Sequence, residues 1–119
     1  MIDRISTVTV RVFNQDEALD FYTKKLGFEK RMDMSSGDFR WLTVDPPGAA
    51  TQIVLYKDIN ATHDDHAGLV FHSADINATY EQLSSRGVKF TEVPTRQPWG
   101  GMQAQFLDKD GNSFVLTEM

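Results

Sequence analysis

The alternation of apolar and polar residues along the chain predicts strands that have one apolar face and one more polar face. In the first predicted strand, Ile5–Val12, valines occupy every second position, and Thr7, Thr9 and Arg11 fall on the opposite side. Seven further runs of strand character follow along the chain, each flanked by turn-forming residues. These runs are Phe28–Met34, Phe39–Asp45, Gln52–Tyr56, Gly68–Ala74, Val88–Val93, Met102–Leu107 and Ser113–Thr117.

Two predicted helices interrupt this series of strands. Asn14 stands at the N-cap of the first helix, with Glu17 three residues later, and Asp75 caps the second. Gly27 and Gly87 end the two helices 60 residues apart and allow the chain to turn away. Apolar residues at helical spacing form the predicted buried stripes: Leu19, Tyr22 and Leu26 in the first helix, and Ile76, Tyr80 and Leu83 in the second.

The order strand, helix, strand, strand, strand therefore occurs twice. A single repeated pair of this length indicates a duplication, since a solenoid needs more copies. We expect an α+β fold of two tandem βαβββ modules in one domain, residues 1–119, with the modules at about 1–57 and 67–119 and a connection at 58–66. The more polar strand faces would line a surface on which a small molecule could bind.

Composition narrows the possible functions. The chain has 119 residues and a net charge of −5, with no basic run of the kind that binds duplex nucleic acid or an anionic membrane. No apolar stretch is long enough to span a bilayer, and the first residues lack the pattern of a secretory signal. There is no cysteine, which excludes disulfides and thiolate chemistry. We expect a cytoplasmic protein.

Several motifs resemble the vicinal oxygen chelate superfamily, which includes glyoxalases, bleomycin-resistance proteins and extradiol dioxygenases. The resemblance begins with Val10-Arg11-Val12, Ala18-Leu19-Asp20-Phe21-Tyr22 and Leu26-Gly27-Phe28. It ends with Trp99-Gly100-Gly101 and with Phe106-Leu107-Asp108-Lys109-Asp110-Gly111-Asn112, where Lys109 replaces the usual proline. The resemblance implies that the two modules form a curled mixed sheet with a cleft, completed in a homodimer.

Metal-using members of this family hold one divalent ion with four side chains in that cleft. By resemblance, these positions fall on Thr7, Val54, Gly68 and Val115, and none is a usual metal ligand. A one-residue shift of the alignment moves the positions onto apolar residues. His63-Asp64-Asp65-His66 has ligand types at close spacing, but we interpret it as a polar connector. We therefore expect no metal and no cofactor.

Candidate ligand-binding residues lie on the polar strand faces or near the closing hairpin. His72 and Arg11 are the candidates for catalysis, His72 as a proton donor or acceptor and Arg11 as an anchor for an anion, as in relatives. A structural His72 and an internal salt bridge of Arg11 are the alternatives. Trp99 is either an aromatic lid or a dimer contact. The full predicted set is Thr7, Thr9, Arg11, Gln52, Val54, Tyr56, His72, Trp99, Gln103, Gln105 and Val115.

Two functions are consistent with these residues. The first is a metal-free protein of the bleomycin-resistance kind, which captures a small molecule in a cleft. The alternative is a vicinal oxygen chelate enzyme, a lyase, isomerase or dioxygenase, that uses an atypical metal site or metal-free acid and base residues. The expected partners are a small molecule and a second copy of the chain, with no nucleic acid and no membrane.

Overall fold

The computed structural model of the chain describes residues 1–60 and 66–119, with side chains from residue 68 onward in the second range. The His63–His66 cluster lies outside the residues whose side chains are described. The chain divides into two compact units, Met1–Ala61 and Thr62–Met119. Among the described residues, no helix combines the length and apolar character needed to cross a membrane.

Unit 1 contains one four-stranded sheet and one helical segment. The strands are β1 (Thr7–Val12), β2 (Glu29–Ser36), β3 (Phe39–Asp45) and β4 (Gln52–Lys57), in the spatial order β1-β4-β3-β2. β1 runs parallel to β4, and the other neighbours are antiparallel. The helical segment begins with α1 (Gln15–Asp20), which contacts β4.

Unit 2 repeats this arrangement. Its strands are β5 (His66–His72), β6 (Lys89–Arg96), β7 (Met102–Leu107) and β8 (Ser113–Glu118), in the order β5-β8-β7-β6. The helix α2 (Ile76–Ser85) contacts β6, β7 and β8. The two predicted βαβββ modules and the α+β class are confirmed, with two mixed four-stranded sheets and two helical segments.

The helix caps form as the sequence predicts. Asn14 Oδ1 accepts a hydrogen bond from the Glu17 backbone N–H at 2.9 Å, and Asp75 Oδ1 accepts one from Ala78 N–H at 3.0 Å. A further contact was not predicted: Glu118 Oε2 accepts a hydrogen bond from Ile76 N–H at 2.7 Å, which ties the last strand to the start of α2.

The first helix differs from the predicted regular helix. After Asp20 it continues as a π-helical turn, Phe21–Lys25, and Leu26 N–H donates to Phe21 C=O five residues earlier. Ala18, Phe21 and Tyr22 are buried, whereas Leu19 and Leu26 are only half-buried. The wider turn changes the direction in which Leu26, the residue after it, projects. Of the predicted stripe, Tyr22 alone is fully buried.

Each core lies between one face of a sheet and its helix. In unit 1, alternate residues of β1, β3 and β4 are buried: Val10, Val12, Leu42, Val44, Ile53 and Leu55. In unit 2, the rings of Phe71, Phe90, Phe106 and Phe114 form a cluster with centroids 5.3–6.1 Å apart. The opposite, more polar face of each sheet is therefore the side not taken up by the helix.

Candidate functional site

The polar face of the unit 1 sheet, which we call face A, brings together six of the predicted site residues. The parallel register of β1 and β4 places Thr7 opposite Gln52, Thr9 opposite Val54 and Arg11 opposite Tyr56. Cross-strand neighbours project to the same side of a sheet. β3 adds Trp41 and Thr43 to this face, because Thr43 is the register partner of Val54.

Face A is closed at its centre and open at one end. Val54 is 3% exposed, whereas a ligand-contacting residue was expected at this position. Val54 lies between Thr9 and Thr43 in the register, and Thr43 is also fully buried. Thr43 Oγ1 donates a hydrogen bond to Gln52 Oε1 at 2.7 Å, so these two polar groups are engaged with each other. Strand alternation alone cannot show this burial at the middle of a sheet.

Arg11 lies at the open end of face A and forms a salt bridge. Its Nε lies 3.3 Å from Asp58 Oδ2, and its guanidinium carbon lies 6.0 Å from the centroid of the Tyr56 ring. The Arg11 side chain is 55% exposed. The internal salt bridge that the sequence left open is thus present, and the arginine also remains accessible.

A groove at the same end of the unit 1 sheet, which we call the end groove, has a volume of about 390 Å³. A smaller cavity of about 180 Å³ shares Gln15, Arg40 and Lys57 with it. The two aromatic residues that line the end groove are exposed, Phe39 by 47% and Tyr56 by 42%. The groove is lined by Gln15, Ser36, Asp38, Phe39, Arg40, Tyr56 and Lys57.

Arg40 anchors the wall of the end groove. Its Nε and Nη2 donate to the two carboxylate oxygens of Asp33, both at 2.8 Å, and its Nη1 donates to Asp16 Oδ1 at 2.7 Å. These hydrogen bonds raise the pKa of Arg40 and lower the pKa of Asp33. Gln15 Nε2 donates to the backbone carbonyls of Arg40 and Leu55 at 3.1 and 2.8 Å, which joins α1 to β3 and β4.

The polar face of the unit 2 sheet, which we call face B, holds four more of the predicted residues. His72, Thr117 and Gln103 lie side by side across β5, β8 and β7, and Val70, Val115 and Gln105 form the next row. Gln103 Nε2 donates to Glu92 Oε1 at 3.1 Å on the neighbouring strand. Gln103, Gln105 and Val115 are half-buried and His72 is exposed.

Trp99 lies in the turn between β6 and β7 and is 52% exposed. Backbone hydrogen bonds from Gly100 N–H to Gln97 C=O and from Gln97 N–H to Gly101 C=O close the turn at 2.9 and 2.8 Å. The indole ring covers Gly101 so closely that a β-carbon there would overlap it. Glycine at this position is therefore required for the observed placement of the ring.

The side chains present do not fit the divalent ion that the resemblance implies. Val54 and Val115 have no donor atom, and Gly68 has no side chain. Asp45, a buried carboxylate of β3, has Oδ2 3.1 Å from Arg31 Nη1; its Oδ1 is buried without a hydrogen-bond partner in the described part of the chain. A single carboxylate oxygen is not a chelating set. Among the described side chains, those of residues 1–60 and 68–119, no three His, Cys, Asp or Glu residues are placed to hold a metal ion.

Sequence reasoning missed most of the end groove. Gln15, Arg40 and Lys57 were not predicted as site residues. Gln15 is the first residue of α1, and Arg40 and Lys57 lie near the ends of β3 and β4 on the helix-facing parity of these strands. The hydrogen bonds that join α1 to β3 and β4 through Gln15 and Arg40 link residues 24 to 40 positions apart. The sequence does contain one indication of this groove. Phe39 lies next to the hairpin turn and projects to the more polar face of β3, and an apolar side chain on a polar face suggests a contact surface.

The sequence profile of the family described as the Glyoxalase/Bleomycin resistance protein/Dioxygenase superfamily matches residues 4–116. The chain is 40% identical over 121 residues to the uncharacterized protein YetH of Bacillus subtilis (strain 168), covering 99% of this chain and 100% of YetH.

Two similar crystal structures extend this comparison. A member of the same superfamily from Sphaerobacter thermophilus DSM 20745 is 38% identical, with a TM-score of 0.93 and coverage of 99% of this chain and 98% of that one. TnmS3 from Streptomyces sp. CB03234, described as an antibiotic binding protein, is 34% identical, with a TM-score of 0.87 and coverage of 98% and 96%. Both similarities extend over nearly the whole of the chain.

Proposed function

Because this chain belongs to the Glyoxalase/Bleomycin resistance protein/Dioxygenase superfamily, we propose that it is a metal-free protein that captures a small organic molecule on the polar faces of its sheets. The observation that carries the proposal is the pair of rows on face B. There His72, Thr117 and Gln103 lie next to Val115 and Gln105, so hydrogen-bonding groups alternate with apolar surface. Hydrogen-bonding groups at fixed positions beside apolar surface can orient a small molecule and set the specificity of a binding site.

The glutamines are well suited to this role. An amide side chain offers both a donor and an acceptor, and Gln103 is held by its hydrogen bond to Glu92 at 3.1 Å. A side chain that is already fixed loses less conformational entropy when a ligand binds. The half-buried position of Gln103 and Gln105 also strengthens a hydrogen bond relative to one in open water.

The absence of donor side chains at Val54, Gly68 and Val115 supports binding without a metal. The similarity to TnmS3, described as an antibiotic binding protein, supports a small organic ligand. We include in the proposal a homodimer, a cytoplasmic location and a role for Trp99 as an aromatic contact to the ligand. The exposed indole next to two glycines supports that role.

A thermal-shift screen tests the proposal with bleomycin as a glycopeptide antibiotic, S-hexylglutathione as a thiol conjugate, and catechol. A ligand that binds only the folded state stabilises it by about 2.7 kcal/mol at one hundred times Kd. We expect a concentration-dependent rise in Tm that persists in EDTA and is reduced in Gln103→Leu. Gln82→Leu is the matched control, because Gln82 is exposed on α2.

Two results would contradict the proposal. One is a rise in Tm that EDTA abolishes and an added divalent ion restores, because the protein would then bind through a metal. The other is a rise in Tm of the same size in wild type and in Gln103→Leu and Gln105→Leu, because face B would then take no part in binding.

A further inference from the structure

We propose that the end groove of unit 1 binds the carboxylate of an aromatic acid, with Lys57 as the anion-binding residue and Phe39 and Tyr56 as the surfaces that contact the ring. This inference goes beyond the proposed binding on face B, because it adds a site formed by residues of unit 1 and names a chemical class for the ligand of that site. The groove has a volume of about 390 Å³, within the range of small-molecule sites.

The aromatic part of the proposal comes from exposed rings at the groove. Phe39 and Tyr56 are 47% and 42% exposed, although both lie on strands whose other faces form the core of unit 1. The Phe39 ring has its centroid 6.4 Å from that of Trp41 in a tilted arrangement, which holds it in place. A planar ligand covering these rings would remove apolar surface from water and gain ring–ring contact.

The charge of the ligand follows from which cations at the groove are already neutralised. Arg40 forms a bidentate pair with Asp33 and a further pair with Asp16. Lys57 lines both cavities and forms no ion pair with any other residue of the described ranges. An ammonium that has no carboxylate partner among the described residues and lines a groove with two exposed aromatic rings is complementary to the carboxylate of an aromatic acid.

Asp38 is the one acidic residue that lines the larger cavity. It belongs to the turn Gly37–Asp38 between β2 and β3, whereas Lys57 is the last residue of β4. The two charges therefore come from different elements of unit 1. We place the carboxylate of the ligand at Lys57 and expect Asp38 to disfavour anions only at the turn.

Gln15 gives the groove a fixed polar wall. Its Nε2 donates to the carbonyls of Arg40 and Leu55, so the amide is held by two main-chain contacts. Arg40 is held in turn by two carboxylates. Because contacts within the chain itself hold Gln15 and Arg40, this wall of the groove needs little reorganisation to accept a rigid ligand.

The test uses three naphthalene probes that share a ring and differ in charge: 2-naphthoate, 2-naphthamide and 2-naphthylmethylammonium. Binding to the full chain is measured by NMR, following the backbone amide signals of Phe39, Tyr56 and Lys57. We expect 2-naphthoate to bind about three to five times more tightly than 2-naphthamide, the factor that one partly exposed ion pair provides. The ammonium probe binds least tightly.

Three variants separate the parts of the proposal. Lys57→Gln removes the preference for 2-naphthoate over 2-naphthamide without abolishing binding of the amide. Lys89→Gln carries the same change of charge at an exposed residue of unit 2 and keeps the preference. Phe39→Leu weakens the binding of 2-naphthoate and of 2-naphthamide by a similar factor, because it removes the ring contact and leaves the ammonium group of Lys57 in place. Phe39 is half-exposed, so this variant is expected to fold.

The proposal is overturned if 2-naphthoate and 2-naphthamide bind equally, if the preference survives in Lys57→Gln, if the ammonium probe binds most tightly, or if the shifted signals lie outside the groove. Absence of any naphthalene binding overturns it as well. The thermal-shift screen uses other compounds and variants of face B. A failure of the carboxylate site and a failure of small-molecule capture are therefore read from different experiments.

Discussion

Arg40 provides the sharpest stability prediction, because one side chain joins three elements of unit 1. Its guanidinium bonds Asp33 of β2 through two hydrogen bonds of 2.8 Å and Asp16 of α1 through one of 2.7 Å. Arg40→Gln removes the positive charge and the guanidinium N–H donors but retains a polar side chain of moderate length. We expect it to loosen both β2 and the start of α1.

The magnitude follows from the exposure of each partner. The side chains of Arg40 and Asp33 are 23% and 27% exposed, so their bidentate pair is worth about 1–2 kcal/mol. Asp16 is 83% exposed, and its pair contributes less than about 0.5 kcal/mol. Arg40→Gln is therefore expected to lower the free energy of unfolding by about 2 kcal/mol at neutral pH.

Urea denaturation followed by Trp41 fluorescence measures this loss. Trp41 is adjacent to Arg40 on β3, and a Trp99→Phe background removes the second indole. A double-mutant cycle of Arg40→Gln with Asp33→Asn isolates the pair, with an expected coupling of about 1 kcal/mol. The same cycle with Asp16→Asn should give less than about 0.5 kcal/mol.

The pH dependence has a definite sign. The hydrogen bond from Arg40 is the largest cause of the lowered pKa of Asp33 in the folded state. The stabilisation is thus fully present above the pKa of an unfolded aspartate, about 3.9, and is lost as the pH falls through the lower folded pKa. In Arg40→Gln the pKa of Asp33 returns toward its ordinary value. The stability difference between wild type and variant should be constant from about pH 7 to 5 and narrow below about pH 4.

Two results would refute this reasoning. A coupling energy near zero between Arg40 and Asp33 would show that the interaction between the two side chains contributes nothing to the free energy of unfolding. A stability difference that widens at acid pH would show that the sign of the linkage is wrong.

Two further predictions concern unit 2. Gly101→Ala should displace the indole of Trp99, because the added β-carbon overlaps the ring. In a Trp41→Phe background, the fluorescence emission of Trp99 should therefore shift to the red. An unchanged spectrum would contradict the placement of the ring over Gly101. Asp108→Ala should lower stability by about 2–4 kcal/mol, because a buried carboxylate loses three hydrogen bonds of 2.8–2.9 Å within the closing turn. Lys109→Ala, an exposed neighbour, should change stability by less than about 0.5 kcal/mol in the same urea titration.

The fold could be predicted because its signals are local. Strand alternation, the caps Asn14 and Asp75, and the glycines after each helix all act within a few residues. The π-helical turn at Phe21–Lys25 could not be predicted, since it depends on how the segment packs against its sheet. That turn explains why Leu26, which follows it, departs from the predicted stripe and is not fully buried.

The site could be predicted only in part, for the same reason. Alternation correctly places His72 and Gln103 on one face, because register follows strand parity. It cannot distinguish the centre of a face from its edge, so it does not show that Val54 is buried. The end groove depends on contacts such as Gln15 to Leu55, 40 residues apart, which no local pattern contains.

The proposal that the protein binds its ligand without a metal ion can be tested by measuring the metal content of the purified protein. The protein is prepared without an affinity tag, chelator or added metal and analysed by inductively coupled plasma mass spectrometry. We expect nickel, zinc, manganese and iron far below one equivalent per chain. One full equivalent of any of them, lost in Thr7→Ala but retained in the control Thr91→Ala, would contradict it.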